Sequence, residues 1–306
     1  HYYVNRYERA IAAYKQVILL DPRNDLAYSR LGLSYLRLDQ NDEAIDAFAQ
    51  VVKMKPESAE AYTTLGLIYN RAGRYGDAIS VLEEAIRRKP DDSEAYGYLA
   101  WAYNKMDRYA EGLDAARKAI QLGSNSSLAY NEMGNAFLGL NRNTEAVEAL
   151  QHAVRLDPNN DAAQQNLGTA YSGLEKYDEA LEAFRQAVKL NPNDVATYSN
   201  LASTYNDMGR YTEAVEAARE AIRLKPDLPN PRRHLAYAYL KMGRNKEAVA
   251  SLNVAVRLKP DYAEAHHNLG LAYLALRNRP AALQEYRILQ RLNRDLADQL
   301  YKEINK

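Results

Sequence analysis

The sequence predicts an all-α solenoid of antiparallel helix pairs, and three observations carry that prediction. Pro22, Pro56 and Pro90 lie 34 residues apart, as do Pro158, Pro192, Pro226 and Pro260, and the gap from Pro90 to Pro158 is twice 34. Between these prolines the apolar residues fall three and four apart, the mark of helices with one buried face. A small residue returns at one fixed place in every unit: Gly32, Gly66, Ala100, Gly134, Gly168, Ala202, Ala236 and Gly270. A fixed period of this length means one supersecondary unit stacked on copies of itself, because a lone helix pair cannot bury its apolar face.

Taken in order, residues 1–24 read as a half repeat, the second helix of a pair only, with Ile11, Tyr14, Val17 and Ile18 as its apolar residues. Eight 34-residue units follow over 25–296, starting at residues 25, 59, 93, 127, 161, 195, 229 and 263. In unit 59–92, Tyr62, Leu65, Gly66 and Tyr69 form the stripe of the first helix. Gly73 supplies the left-handed residue that ends it. Tyr75, Ala78, Leu82 and Ala85 form the stripe of the second helix, Lys89 suits its C-terminal dipole, and Pro90 stops it. Unit 93–126 departs from the pattern: its closing turn lacks proline, and Gly112 and Ala116 replace larger or more helix-favouring residues. Local softness is expected there, since a helix-interior glycine costs ~1 kcal/mol.

Residues 297–306 read as a C-terminal capping helix, with Asp295 as its N-cap, Leu296, Leu300 and Ile304 on one face, and Asp298, Lys302 and Lys306 toward water. No such lid precedes residue 25. The unpaired helix implies a chain trimmed from a longer protein, or an open N-terminal end through which self-association is expected.

Composition narrows the function classes. Lys+Arg and Asp+Glu stand at 40 each, so the chain lacks the net basic footprint of a nucleic-acid binder. Cysteine is absent, which removes disulfides, thiol nucleophiles and thiolate-ligated zinc. That absence suits cytosol and periplasm alike, and a cytoplasmic location is the expectation. No apolar run reaches the length of a spanning helix, so no membrane insertion is expected.

The string Tyr28-x2-Leu31-Gly32-x2-Tyr35, with Ala44-x3-Phe48 and Pro56, resembles the tetratricopeptide repeat pattern, with Tyr in place of its Trp. The match recurs eight times and covers nearly the whole chain. The resemblance implies a right-handed superhelix that binds protein ligands on a concave face. It also implies that the second, fifth, sixth, ninth, twelfth and thirteenth residues of each first helix line that face.

Those positions divide the expected groove into two regions. The first offers Leu33, Leu67 and Trp101 at equivalent places, Tyr98 beside them, and a basic row of Arg37, Arg71 and Lys105 with Arg30 nearby. An apolar strip bordered by cations suits a peptide with hydrophobic anchors and acidic flanks, and Trp and Arg are frequent hot spots. The amides of Asn70 and Asn104 stand on the same helices, and those of Asn131 and Asn135 on the first helix of the next repeat. The second region is polar: Asn166, Asn200, Asn206, Arg233, His234, Tyr237, His267 and Asn268. Asn166, Asn200 and Asn268 share one position, interrupted at His234. An asparagine amide both donates and accepts, so such a row can hold an extended backbone. It is similar to the asparagine ladder of the O-GlcNAc transferase superhelix. The Lys–Asn pair that would make a carboxylate clamp for chaperone tails is missing, since Asn131 and Asn135 have the spacing without the charge.

No phosphate loop, nucleophile elbow or metalloprotease string occurs, and the chain is expected to be non-catalytic, without cofactor or metal. His234 and His267 stand at neighbouring inner-face positions in adjacent units, with only Glu264 to join them, too few ligands for a metal. His1 is terminal. The function expected is a scaffold binding a protein or peptide segment in the groove. The alternatives are the substrate-recruiting region of a larger enzyme, or a self-assembling array.

Overall fold

The computed structural model describes residues 2–306, with side chains from Arg6 onward, so His1 lies outside the described residues. Among them there are helices and turns and no strand. The chain divides into two compact units, one ending at Ala170 and the other beginning at Tyr171. The repeat pattern alone shows no such division.

The first unit holds α1 (Tyr2–Leu20), α2 (Asp25–Leu36), α3 (Asn41–Met54), α4 (Ala59–Arg71), α5 (Tyr75–Arg88), α6 (Ser93–Lys105), α7 (Tyr109–Gln121), α8 (Ser127–Gly139), α9 (Asn143–Leu156) and most of α10 (Asp161–Gly173). The second holds α11 (Tyr177–Leu190), α12 (Val195–Asp207), α13 (Tyr211–Leu224), α14 (Pro229–Lys241), α15 (Asn245–Leu258), α16 (Ala263–Ala275), α17 (Arg279–Leu292) and α18 (Arg294–Ile304). Even-numbered helices from α2 to α16 are the first helices of the repeats.

Most first helices begin in one way. A side chain two residues after the repeat's proline accepts a main-chain N–H of the first turn: Asn24 from Ala27, Ser58 from Ala61 and Asp92 from Ala95 in the first unit. Asp194 does the same for Thr197 in the second. These caps satisfy donors that the helix itself leaves unpaired. The turn inside each pair needs one residue at positive φ. Gly73, Gly209 and Gly243 supply it at 72–73°, while Asp39, Asp107, Asn141, Glu175 and Arg277 adopt it at 55–59°. Asp and Asn tolerate that region, whereas Glu175 and Arg277 hold it against a steric penalty.

Close approach explains the recurring small residue. A Cβ on Gly66 would stand 2.4 Å from the fully buried Leu82. Gly112 has a packing cause of its own: a Cβ there would lie 2.2 Å from Asn104 Oδ1. Glycine in α7 therefore makes room for a buried amide of α6.

A corner motif recurs that the apolar stripe does not announce. The residue before a second helix is arginine in most repeats, and its guanidinium stacks on the aromatic ring that closes the first helix. In the first unit Arg74 lies 4.8 Å from the Tyr69 ring, Arg108 4.4 Å from Tyr103 and Arg142 4.7 Å from Phe137. In the second, Arg210 lies 4.8 Å from Tyr205 and Arg244 4.5 Å from Tyr239. Each also binds an acid three residues on, as in Arg74–Asp77 at 2.8 Å and Arg244–Glu247 at 2.9 Å.

At the C-terminus the helix starts earlier than expected. Asn293, not Asp295, is the N-cap, its Oδ1 accepting the Leu296 N–H at 3.1 Å, and Asp295 lies in the first turn. Asn is unstrained at a cap and its amide oxygen reaches the third residue on. Ala297, Leu300 and Ile304 are buried, and a Cβ on Gly270 would meet Leu300 at 2.4 Å, so α18 packs directly on α16.

Candidate functional site

In the first unit Leu33, Leu67 and Trp101 occupy the same position of α2, α4 and α6, and none is taken into the core: Leu33 is 40% exposed and the other two are half-buried. Arg37, Arg71 and Lys105 are exposed beside them. Arg71 meets Asp39 at 3.4 Å across the surface, a contact of little worth in water. Leu33 borders two clefts. One, of about 350 Å³, lies between α1 and α2; the other, of about 520 Å³, opens between α2, α3 and α4 and includes Arg30 and Thr64. Tyr98 is half-buried and its hydroxyl donates to Glu94 at 3.2 Å. Burial, with the Glu94 charge and hydrogen bond, pushes the phenol up to about 12, so it remains a donor.

The amides expected on this face lie elsewhere. Asn70 is buried and its Nδ2 donates to the Tyr98 carbonyl at 2.8 Å. Asn104 is buried and donates to the Glu132 carbonyl at 2.8 Å and to Glu132 Oε2 at 2.9 Å. Asn131, also buried, donates to Glu132 Oε1 at 3.0 Å, and Asn166 donates in turn to Asn131 Oδ1 at 3.0 Å. Asn135 is half-buried and also bonds Glu132. The Asn70, Asn104 and Asn166 bonds run between successive first helices and the Asn131 and Asn135 bonds within α8, and Asn70, Asn104 and Asn131 are withdrawn from the ligand-facing set. An unpaired buried carbonyl is costly, which is why the amides turn inward.

Glu132 is the residue that sequence reasoning passed over. It stands where Asn166 and Asn200 stand in later repeats, and it is 4% exposed. Burial pushes its carboxyl above the ordinary range, against the pull of the Asn104, Asn135 and Asn131 amides and the Lys105 charge. The signal available in the sequence was an acid at an inner-face position flanked by Asn at 104, 131 and 135.

In the second unit Asn206 behaves like Asn70, buried and donating to the His234 carbonyl at 3.0 Å. Asn200 and Tyr237 are half-buried, and Lys241 lies 5.3 Å from the Tyr237 ring. Arg233 donates to the Tyr262 hydroxyl at 2.6 Å and lies 3.4 Å from His234 Nε2. Burial, then the Arg233 charge, lowers His234 to about 3, so its ring is neutral. Burial lowers His267 too, against a hydrogen bond with the buried Asn268 and the Glu303 charge. The structure does not bring His234 and His267 together as ligands, and no cluster of three His, Cys, Asp or Glu occurs among the described residues.

The histidine that sequence reasoning left aside is His266. It is buried, with Nδ1 2.6 Å from Glu285 Oε2 and Nε2 3.0 Å from the Pro260 carbonyl. The two residues replace the Tyr and Ala found at those places in most other repeats, for example Tyr28 with Ala47 and Tyr198 with Ala217. A paired departure from the repeat was the available sign.

No helix among the described residues is long and apolar enough to cross a membrane. Residues 1–170 match the family described as cilia and flagella-associated protein 70 C-terminal domain. Residues 165–229 match the family described as tetratricopeptide repeat, and residues 239–276 that described as TPR repeat. No curated protein matches the chain by sequence. Among solved structures, a chain of the APC/C hetero-tetramer Cut9-Hcn1 is similar, with a TM-score of 0.73 and 20% identity over 87% of this chain. The protein spans about half of that relative, 52% of its length. PilF of Pseudomonas aeruginosa is similar with a TM-score of 0.60 and 19% identity, over 70% of this chain and 100% of that one. Likeness at such identity shows the fold alone. With residues 1–170 of its 306 matched by one repeat family and two later stretches by others of the same kind, the chain belongs to the tetratricopeptide repeat proteins, in the family of the cilia and flagella-associated protein 70 C-terminal domain.

Proposed function

We propose that the protein is a non-catalytic scaffold, and that the first unit holds an extended peptide across the first-helix face that carries Leu33, Leu67 and Trp101. The observation that carries this reading is the contrast on that face. Apolar side chains at one position stay at least partly exposed through three successive repeats, while the Asn70 and Asn104 amides near them are turned inward and already bonded. Arg37, Arg71 and Lys105 line the apolar strip and favour acidic residues beside each hydrophobic anchor. Burying one such anchor contributes ~1.5–3 kcal/mol, so two or three anchors suffice for a specific complex.

Trp101 is the sole tryptophan, so its emission reports directly on an arriving ligand. Selection from a random peptide library on the full chain should enrich apolar residues flanked by Asp or Glu, and the selected peptides should shift that emission. Trp101→Ala combined with Arg71→Glu should weaken them at least about tenfold with helicity unchanged. Peptides without that bias, or binding that survives the double substitution, would remove the basis of the reading.

A further inference from the structure

The interval between α2 and α4 lacks the side chains that close the next one, between α4 and α6. In that next interval Tyr98, the sixth residue of α6, packs half-buried against the apolar cluster built around Leu82 and Leu99, and its hydroxyl donates to Glu94 at 3.2 Å. Asn70 donates to the Tyr98 carbonyl at 2.8 Å, and Thr63 Oγ1 donates to Asp92 Oδ2 at 2.9 Å. One repeat earlier the places of Tyr98, Asn70, Thr63 and Asp92 are held by Thr64, Leu36, Ser29 and Ser58. Leu36 is buried and has no amide to offer. Ser29 donates to the Asp25 carbonyl of its own helix at 2.9 Å, and Ser58 caps α4. Accordingly α4 packs directly on α6, whereas α2 stands further from α4. The cleft of about 520 Å³ between α2, α3 and α4 is the result. Its walls come from two complete repeats and include nothing of α1.

We propose that this cleft receives a tyrosine side chain of the bound peptide, in the place that Tyr98 fills one repeat later; the proposal rests on the reading above in taking an extended peptide as the ligand. Leu26 and Leu33, 61% and 40% exposed, stand over the buried Phe48 and Val51 and give the ring apolar walls. Thr64, at the position of Tyr98, turns its hydroxyl to the Glu60 carbonyl at 2.9 Å and is too short to fill the space from within. Glu60 lines the cleft at the position of Glu94 and offers its carboxylate to the incoming hydroxyl, as Glu94 does to Tyr98. Arg30 lines it too. Asp25 and Lys55 neutralise one another there, while neither Arg30 nor Glu60 is in an ion pair among the described residues. The unpaired guanidinium favours an Asp or Glu beside the tyrosine.

The probe is the fluorescein-labelled peptide Glu-Leu-Asp-Tyr-Glu-Asp-Leu, titrated into the full chain and followed by anisotropy. Saturable binding is expected, at least about tenfold weaker when alanine replaces the peptide's tyrosine. Phenylalanine in its place should bind about threefold or more weakly to the unaltered protein, and as well as tyrosine to Glu60→Ala. Thr64→Tyr supplies the ring from within and should weaken the peptide at least about tenfold, with circular dichroism and melting temperature undiminished. Binding that survives Thr64→Tyr, an alanine peptide that binds as tightly as the tyrosine one, or no saturable binding overturns the proposal. Peptides selected from the random library separate this cleft from the strip beside it. If Trp101→Ala with Arg71→Glu weakens them and Thr64→Tyr does not, only the tyrosine cleft falls. If Thr64→Tyr alone weakens them, only the strip falls.

Discussion

His266 is expected to contribute a pH dependence of stability in the neutral range. Both of its ring nitrogens face acceptors, Glu285 Oε2 at 2.6 Å and the Pro260 carbonyl at 3.0 Å, and an imidazole donates twice only when protonated. Burial alone would pull the ring down, yet the hydrogen bonds to Glu285 and Pro260 and the Glu285 charge together hold it above its ordinary value. A raised value in the folded state means the pair's stabilisation is complete below roughly pH 6.5, the unfolded value, and is lost as pH climbs through the folded one. The melting temperature should therefore fall on the alkaline side of neutrality. His266→Tyr with Glu285→Ala restores the pair found at Tyr198 and Ala217, and should flatten that slope. A slope of the same size in the double variant, measured by circular dichroism between about pH 6 and 9, would assign it to other groups.

Between elements, an asparagine at the twelfth residue of three first helices acts as a clamp on the next. Asn70 reaches from α4 to α6, Asn104 from α6 to α8, and Asn206 from α12 to α14, each to the carbonyl of the sixth residue. Each also leaves its Oδ1 in the interior without a hydrogen-bond partner. The clamp thus satisfies a carbonyl while leaving one acceptor unused. Asn104 does most, because its amide also steadies Glu132 Oε2 at 2.9 Å. Asn104→Ala strands that carboxylate and should cost ~1–3 kcal/mol in urea unfolding. A loss under ~0.5 kcal/mol would show that α6 and α8 are held by apolar packing alone. The arginine corners add a second, outer tie in most repeats, joining the aromatic end of one helix to the first turn of its partner through stacking and an ion pair.

On the scale of the whole molecule, each unit is built from helices that pack on those one or two places away along the chain. Stability in such an array is close to a sum of local and nearest-neighbour terms. In the second unit α18 packs on α16, with Leu300 over Gly270 and Ile304 buried. A chain ending at Leu292 would expose Gly270 and Leu289. Its hydrogen-exchange protection should drop at least about tenfold in α16 and α17, with little change in α12. An equal loss in α12 would mean that the second unit opens as one block.

The repeat boundaries, the turn residues and the small-residue contacts were legible in the sequence because they depend on neighbours close along the chain. Gly73 in its turn and Gly66 beneath Leu82 recur at fixed offsets whatever surrounds them. The apolar part of the candidate face was legible for the same reason, since Leu33, Leu67 and Trp101 repeat at one offset. The polar part was not. Whether Asn70, Asn104, Asn131 or Asn206 faces a ligand or the next helix depends on how closely successive first helices approach and how they are rotated. That spacing comes from packing between repeats, and the structure resolves it by turning the amides toward buried carbonyls and the Glu132 carboxylate. The sequence by itself determined an array of helix pairs with an apolar, arginine-bordered strip. Only the tertiary structure decided which polar groups were already bonded, where a His266–Glu285 pair was buried, and which cleft was left open, because an unsatisfied polar group is tolerated in water and costly in the interior.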